Sequence, residues 1–161
     1  MLRNVKIILV GTVALWAFIG AFLNVYDWSG TTGAIIATTS MSTFDGGADD
    51  WRATSSTWVI WAGAAFIILL KISAGLLCLA GAVKMWAARN RDATAFAKSK
   101  ELALAGCGVA MILLFVGWIV IAESWFELWR SDVLRDIALQ SAFRYGAMIT
   151  LIALFVATGD D

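Results

Sequence analysis

Residues 58–83 read WVIWAGAAFIILLKISAGLLCLAGAV, and they are the strongest indication of the fold class of this chain. It contains one charged side chain, Lys71, among apolar and small residues. A helix needs about 20 consecutive apolar residues to cross the hydrocarbon core of a bilayer. The stretch therefore predicts a membrane-spanning helix with a lysine halfway along it.

Three further apolar runs cover residues 5–25, 102–122 and 142–157. Of the 161 residues 61% are hydrophobic, whereas soluble domains contain about 45–50% apolar residues. The fourth run is short, and it spans a bilayer only if its helix begins inside the polar segment before it. The composition predicts an all-α membrane protein, in which residues 1–161 form a single domain of four transmembrane helices in an antiparallel bundle.

The first run could be the apolar core of a signal peptide, because Arg3 and Lys6 precede it. It is longer than such a core, however, and no clean Ala-x-Ala cleavage site follows it. We therefore expect residues 5–25 to remain as the first membrane helix.

Basic residues are unequally divided between the two sides of the predicted bundle. Seven lie before the first run or between the second and third: Arg3, Lys6, Lys84, Arg89, Arg91, Lys98 and Lys100. Three lie on the other side: Arg52, Arg130 and Arg135. The positive-inside rule then places both termini in the cytoplasm of a bacterial cell, with the protein in its inner membrane. Residues 84–101 form the inner loop, whose small basic patch does not indicate nucleic-acid binding.

The predicted outer side has a long loop and an amphipathic segment. Residues 26–57 are rich in Thr, Ser, Gly and Asp, and they predict a loop packed on the bundle, with a turn at 45–47. Residues 123–141 predict an interfacial helix lying on the outer surface before the last span. Seven tryptophans fall near this boundary: Trp28, Trp51, Trp58, Trp61, Trp118, Trp125 and Trp129. Indole prefers the headgroup level, and so dense a belt also suggests a surface buried against a partner.

Histidine is absent from the chain, which limits the chemistry that it can support. Histidine-ligated haem, histidine metal sites and Ser-His or Cys-His nucleophiles are excluded. The two cysteines, Cys78 and Cys107, fall at similar depth in the inner leaflet, where buried free thiols behave as small apolar residues. Glu123 lies at a membrane boundary, where a carboxylate bonded to water or to Arg130 is expected rather than a proton relay. We predict no catalytic residue, no cofactor and no metal site.

Lys71 has no Asp or Glu at its depth in the sequence. A charge at the bilayer centre costs roughly 2.5–3.5 kcal/mol on insertion scales, so it requires an explanation. The lysine could snorkel to a wet region, it could line a substrate path, or it could contact a neighbouring subunit, lipid or cofactor. The sequence leaves these three alternatives open.

Short sequences along the chain, taken in order, carry a resemblance to a known family. They are NVYD at 24–27, MSTF at 41–44, WRAT at 51–54, GLLCLAG at 75–81, AFAK at 95–98, WFELWRS at 125–131 and AFR at 142–144. The ordered set resembles a bacterial family of small integral membrane proteins, domain-of-unknown-function family twenty-one sixty-five. The resemblance implies four membrane helices and no established activity. Members of that family tend to carry glutamates where this chain has Lys71 and Ser124, and they often carry histidines in or after the first outer loop.

These features favour a non-catalytic accessory subunit of a larger inner-membrane complex, such as one of respiratory or photosynthetic electron transfer. Its expected partners are other integral membrane subunits and phospholipids, with no nucleic acid. The side chains expected to contact a partner or lipid are Lys71, Trp125, Trp129, Arg130 and Arg144. The alternative is a stand-alone transporter or sensor with a site around Lys71. A third hypothesis is an enzyme that acts on lipids through Glu123, Glu127 and Asp132.

Overall fold

A computed structural model describes residues 1–159, which contain helices and no strand. The α-helices in chain order are α1 (Leu2–Tyr26), α2 (Trp28–Thr39), α3 (Thr57–Ala88), α4 (Ala93–Ser99), α5 (Glu101–Ile112) and α6 (Arg135–Ala157). A π-helix, Leu113–Trp125, continues α5 directly, and a 3₁₀ turn, Leu128–Arg130, precedes α6. Four helical stretches are long and apolar enough to cross a membrane: α1, α3, Ala93–Trp125 and α6. The predicted all-α fold with four spans is confirmed.

Each spanning helix packs against the next one along the chain, and α6 also contacts α1. The residues of α1 and α3 meet in opposite order, because Gly20 faces Lys71 whereas Arg3 donates hydrogen bonds to the carbonyls of Arg89 and Arg91. The same reversal relates α3 to α5 and α5 to α6, through the contacts Gly81–Ala103, Cys78–Gly106, Thr150–Met111 and Gly146–Leu114. Neighbouring spans are therefore antiparallel in the bundle.

Small residues line the helix interfaces, as their spacing predicts. Ala74, Gly81, Ala103, Gly106 and Ala110 lie in the α3–α5 interface or next to it, and each is buried. A Cβ added to Gly81 would overlap the backbone of Ala103, so these two helices are in backbone contact. Lipid offers no hydrophobic driving force between helices, and close van der Waals contact takes its place. Gly11 of α1, in contrast, has open space beside it.

Two helices that the sequence does not predict lie within the segments that were expected to be loops. Residues 26–57 include α2, whose N-cap Asp27 accepts a hydrogen bond from the Gly30 amide. Residues 84–101 include α4, which Asp92 caps in the same way through the Ala95 amide. Both begin at an aspartate, a residue that is strongly preferred at the N-cap. Threonine and glycine within α2 have low helix propensity, which is why composition indicates a loop there.

Residues 123–141 do not form the single interfacial helix that was predicted. The π-helix ends at Trp125, the chain reverses at Glu127, whose φ is 53°, and α6 begins at Arg135. Phe126, Leu128 and Ser131 are buried in this reversal, whereas Trp125, Trp129, Val133 and Ile137 of the same segment are exposed. The helix of the last span begins at Arg135, inside the polar segment, and is therefore longer than the apolar run 142–157.

Candidate functional site

The end of the bundle that carries residues 27–56 and 126–134 is called the loop face, and the opposite end is called the terminal face. Arg52 is at the centre of the loop face. Its Nε and Nη2 donate to the two carboxylate oxygens of Asp50, each at 2.9 Å. Its Nη1 donates to the Trp125 carbonyl at 2.9 Å, and Nη2 also reaches Glu127 at 2.8 Å. One guanidinium therefore joins the loop before α3 to the end of the π-helix.

Arg130 extends this network from the other side of Glu127. Its Nη1 donates to the second carboxylate oxygen of Glu127 at 2.8 Å, and its Nη2 donates to the Asp45 carbonyl at 3.1 Å. The guanidinium also lies over the Phe44 ring, 4.6 Å from its centre. We call Asp50, Arg52, Glu127 and Arg130 the arginine clamp. It fixes both loops of the loop face by charge-assisted hydrogen bonds, which are shorter and stronger than neutral ones.

The clamp shifts the acid–base equilibria of its members. Hydrogen bonds from the side chain and the amide of Arg52 lower the pKa of Asp50 from 3.8 to about 2. Hydrogen bonds from Arg52 and then Arg130 also lower the pKa of Glu127. The pKa of Arg52 is raised by its bonds to Asp50 and Glu127. All three groups are charged at neutral pH, and the clamp weakens only in strong acid.

Aromatic side chains surround the clamp and remain exposed. Trp51 and Trp125 meet edge to face, with ring centres 5.7 Å apart, and they are 82% and 48% exposed. Trp129, which follows Trp125 by four residues, is 53% exposed. The clamp holds the backbone of Trp125 directly through its carbonyl. The loop face therefore presents indole rings on a backbone that is fixed in place.

Lys71 has a hydrogen-bond acceptor inside the chain, and this acceptor is an amide rather than a carboxylate. Its Nζ donates to Asn24 Oδ1 at 2.6 Å and lies 3.4 Å from the Gly20 carbonyl. Asn24 Nδ2 in turn donates to Thr31 Oγ1 at 2.9 Å, and that hydroxyl donates to the Asn24 carbonyl. We call Lys71, Asn24 and Thr31 the polar triad. It joins α1, α2 and α3 through groups that satisfy one another.

Lys71 is halfway along its own apolar run, but it is not level with the middle of the first apolar run. Gly20 faces Lys71, and residue 15 is the middle of the first run. At about 1.5 Å per residue, Lys71 is about 7 Å nearer the loop face than that middle. Its side chain points further toward the loop face, to Asn24 near the end of α1. The geometry corresponds to snorkelling with an internal hydrogen bond.

The side chains expected to contact a partner or lipid do not form one site. Trp125, Trp129 and Arg130 lie together at the loop face, whereas Lys71 belongs to the polar triad. Arg144 lines a separate groove with Glu123, between the π-helix and α6. Cys78 and Cys107 are both free and fully buried, in agreement with their predicted role as small core residues. Among residues 1–159, no three His, Cys, Asp or Glu side chains cluster as metal ligands.

Three features of these sites are not predicted from the sequence. Asn24 is the acceptor for Lys71, and a polar side chain near the end of a spanning helix is the signal that indicates such a role. Arg52 enters the sequence prediction only as a topological charge, whereas in the structure it joins two loops. Lys6 and Lys100 both donate to the Thr158 carbonyl, at 2.9 and 2.8 Å, and so link three helices at the terminal face. No local sequence pattern indicates these long-range pairings.

Comparison with known proteins identifies one family. No curated protein and no solved structure matches the chain significantly. The family model described as "Predicted small integral membrane protein (DUF2165)" matches residues 2–158, which is nearly the whole chain. The four spans agree with that description. The chain therefore belongs to the DUF2165 family of small integral membrane proteins.

Proposed function

We propose that this protein is a non-catalytic accessory subunit that stabilises a larger membrane complex by docking through its loop face. The observation that carries the proposal is the exposed Trp51–Trp125 pair on the arginine clamp. Tryptophan and arginine are enriched among residues that dominate binding energy at protein interfaces. A surface that is ordered before binding loses less conformational entropy when a partner covers it.

The proposal also covers the membrane in which the protein lies, its orientation there and its partners. The unequal distribution of Lys and Arg favours an inner membrane with both termini in the cytoplasm, so that the loop face is outside. Other integral membrane subunits and phospholipids would be its partners. An electron-transfer assembly fits this role, because a chain without histidine would there contribute packing and lipid positioning rather than redox ligands.

A transporter or sensor centred on Lys71 has less support. The hydrogen-bonding groups of the polar triad are engaged with one another, and Lys71 is held by Asn24 at 2.6 Å. A substrate would have to replace these bonds in order to bind there, which costs affinity.

The size of the native assembly in mild detergent tests the subunit proposal. We expect the full-length wild-type chain, extracted from its own membrane, to migrate in native electrophoresis with a complex well above the chain's own 17.4 kDa. A Trp51→Ala/Trp125→Ala variant should lose most of this association while keeping its helical circular dichroism. Trp86→Ala is the matched control, because Trp86 is 52% exposed on α3 near the terminal face.

Two results would contradict the proposal. One is migration of the wild type as the isolated chain with lipid only. The other is equal loss of association in the loop-face variant and in Trp86→Ala, which would indicate a general effect of removing interfacial indoles. A solute flux or response that Lys71→Met abolishes, with assembly unchanged, would favour the transporter or sensor instead.

A further inference from the structure

A groove of about 500 Å³ lies between the π-helix and α6, next to the loop-face boundary of the membrane. Ile119 and Glu123 line one wall, and Leu139, Gln140, Phe143 and Arg144 line the other. The groove thus combines apolar side chains with one carboxylate, one guanidinium and one amide. It is separate from the arginine clamp and from the polar triad.

The π-helix brings Glu123 into this groove. Its i→i+5 hydrogen bonds continue to the end of the span, where the Phe126 amide donates to the Ile121 carbonyl at 3.0 Å. Ser124 Oγ likewise donates to the Ile119 carbonyl, five residues before it. Ile119 and Glu123, four residues apart, lie on one face of the π-helix and line the groove together. Such π segments are rare and occur frequently at functional sites.

The charged groups of the groove are not paired with each other. Within residues 1–159, Glu123 forms no ion pair or side-chain hydrogen bond. Arg144 makes only a 3.5 Å hydrogen bond to Ser141 on its own helix and lies over the Tyr145 ring at 5.4 Å. Opposite charges that line one groove without meeting are suited to a ligand that carries both charges.

The two charges also lie at different depths. Gly146 packs against Leu114, so the backbone of Arg144, two residues nearer the loop face, is level with the first third of the π-helix. Glu123 lies about two turns beyond Leu114 toward the loop face. The residue that carries the positive group is therefore deeper along the bundle than the residue that carries the negative group. A zwitterionic phospholipid has the complementary order, with its phosphate next to the hydrocarbon and its ammonium further out.

We infer that this groove binds an amine-bearing zwitterionic phospholipid, with its phosphate on Arg144 and its primary ammonium on Glu123. Arginine binds phosphate oxygens through two parallel N–H donors. A primary ammonium donates hydrogen bonds to a carboxylate, which a quaternary ammonium cannot do. Deeper along the same two helices, Phe115 and Met148 are exposed and offer apolar surface to the acyl chains. The site does not depend on the proposed subunit role.

Lipid competition on the purified full-length chain tests this inference. Native mass spectrometry measures how many phosphatidylethanolamine, phosphatidylcholine and phosphatidylglycerol molecules with identical acyl chains stay bound at equal concentration. We expect phosphatidylethanolamine to be retained about fivefold over either competitor, the ratio that corresponds to about 1 kcal/mol for an exposed ion pair. Glu123→Gln should remove the preference for phosphatidylethanolamine, whereas Arg144→Gln should weaken all three lipids alike.

Matched controls are Asp132→Asn and Arg135→Gln, which remove exposed charges at the loop face outside the groove and should leave the preference unchanged. Equal retention of the three lipids by the wild type would overturn the inference, and this measurement does not depend on any variant folding. A preference that survives Glu123→Gln, or that the control variants reduce as strongly, would also overturn it.

Discussion

At the scale of single residues, the polar triad shows how this chain accommodates a lysine inside a membrane helix. Asn24 accepts a hydrogen bond from the Lys71 ammonium, and the Thr31 hydroxyl accepts one from the Asn24 amide. A donor left without a partner in a low-dielectric region costs more than a hydrogen bond contributes when both partners are present. Loss of Asn24 should therefore be more damaging than loss of both groups together.

Asn24→Leu should destabilise the protein by about 1–3 kcal/mol, because it removes the acceptor of a charged donor. Adding Lys71→Met should recover much of this loss, since no unpaired charge then remains. The measurement is the midpoint of thermal unfolding in mild detergent for the two single variants and the double variant. Lys84→Met, at an exposed position in α3, is the control and should have little effect. Additive effects of the two substitutions would show that the pair is not coupled.

A second residue-scale prediction concerns acid. The pKa values of Asp50 and Glu127 are both lowered in the folded protein, to about 2 for Asp50. Their contribution to stability is therefore complete above their ordinary values of 3.8 and 4.5 and is lost as the pH falls through the lowered values. We expect the loop face to loosen between about pH 4 and pH 2.

Acrylamide quenching of tryptophan fluorescence should rise over this range in the wild type, as the Trp51–Trp125 contact is released. Arg52→Gln removes the cause of both shifts, so quenching in this variant should already be higher at neutral pH and change less in acid. A wild-type transition centred at the ordinary carboxyl pKa values, unaltered by Arg52→Gln, would argue against the clamp.

At the scale of elements, the α3–α5 interface depends on the absence of side chains. A Cβ on Gly106 would lie 2.6 Å from the Cys78 sulfur and 2.7 Å from its amide nitrogen, distances that require the helices to separate. Gly108, two residues along the same helix, has nothing within 4 Å. Two glycines of one helix therefore have opposite requirements, which helix propensity alone does not distinguish.

Gly106→Ala should lower the thermal midpoint, because backbone and side-chain atoms of α3 occupy the position of the new methyl group. Gly108→Ala should leave the midpoint unchanged or raise it, since alanine is favoured over glycine in a helix by about 1 kcal/mol. Both variants are measured in the same detergent. Equal effects of the two substitutions would contradict backbone contact between α3 and α5.

At the scale of the whole molecule, the antiparallel spans place residues 27–56 and 126–134 at one end and both ends of residues 1–159 at the other. The two native cysteines are fully buried, so we expect them not to react with a labelling reagent. A cysteine introduced at the exposed Asp49 and one at the exposed Thr94 report on opposite faces.

In intact cells, a membrane-impermeant maleimide should label Asp49→Cys and should not label Thr94→Cys until the cells are opened. The expectation follows from the excess of basic residues on the terminal face. The unmodified chain, with both cysteines buried, is the control for background reaction. Labelling of Thr94→Cys alone in intact cells would reverse the proposed orientation.

The number and type of the spans follow from local sequence alone. Apolar runs of sufficient length can cross a bilayer only as helices that satisfy their own backbone hydrogen bonds, so the runs from 5–25 to 142–157 specified the fold class directly. Small residues such as Ala74 and Gly106 likewise identified the packing faces, because their spacing follows the helical turn. The length of an apolar run and the spacing of small residues are local properties, so they can be read directly from the sequence.

The pairing of polar groups, in contrast, depends on how the helices and loops pack together. Asn24 and Lys71 are 47 positions apart, and Arg52 and Glu127 are 75 apart. Each pair depends on the register between helices, which is set by side-chain volumes along an entire interface rather than by any nearby pattern. The same register places Lys71 nearer the loop face than the middle of the first apolar run. It also brings Glu123 and Arg144 to one groove.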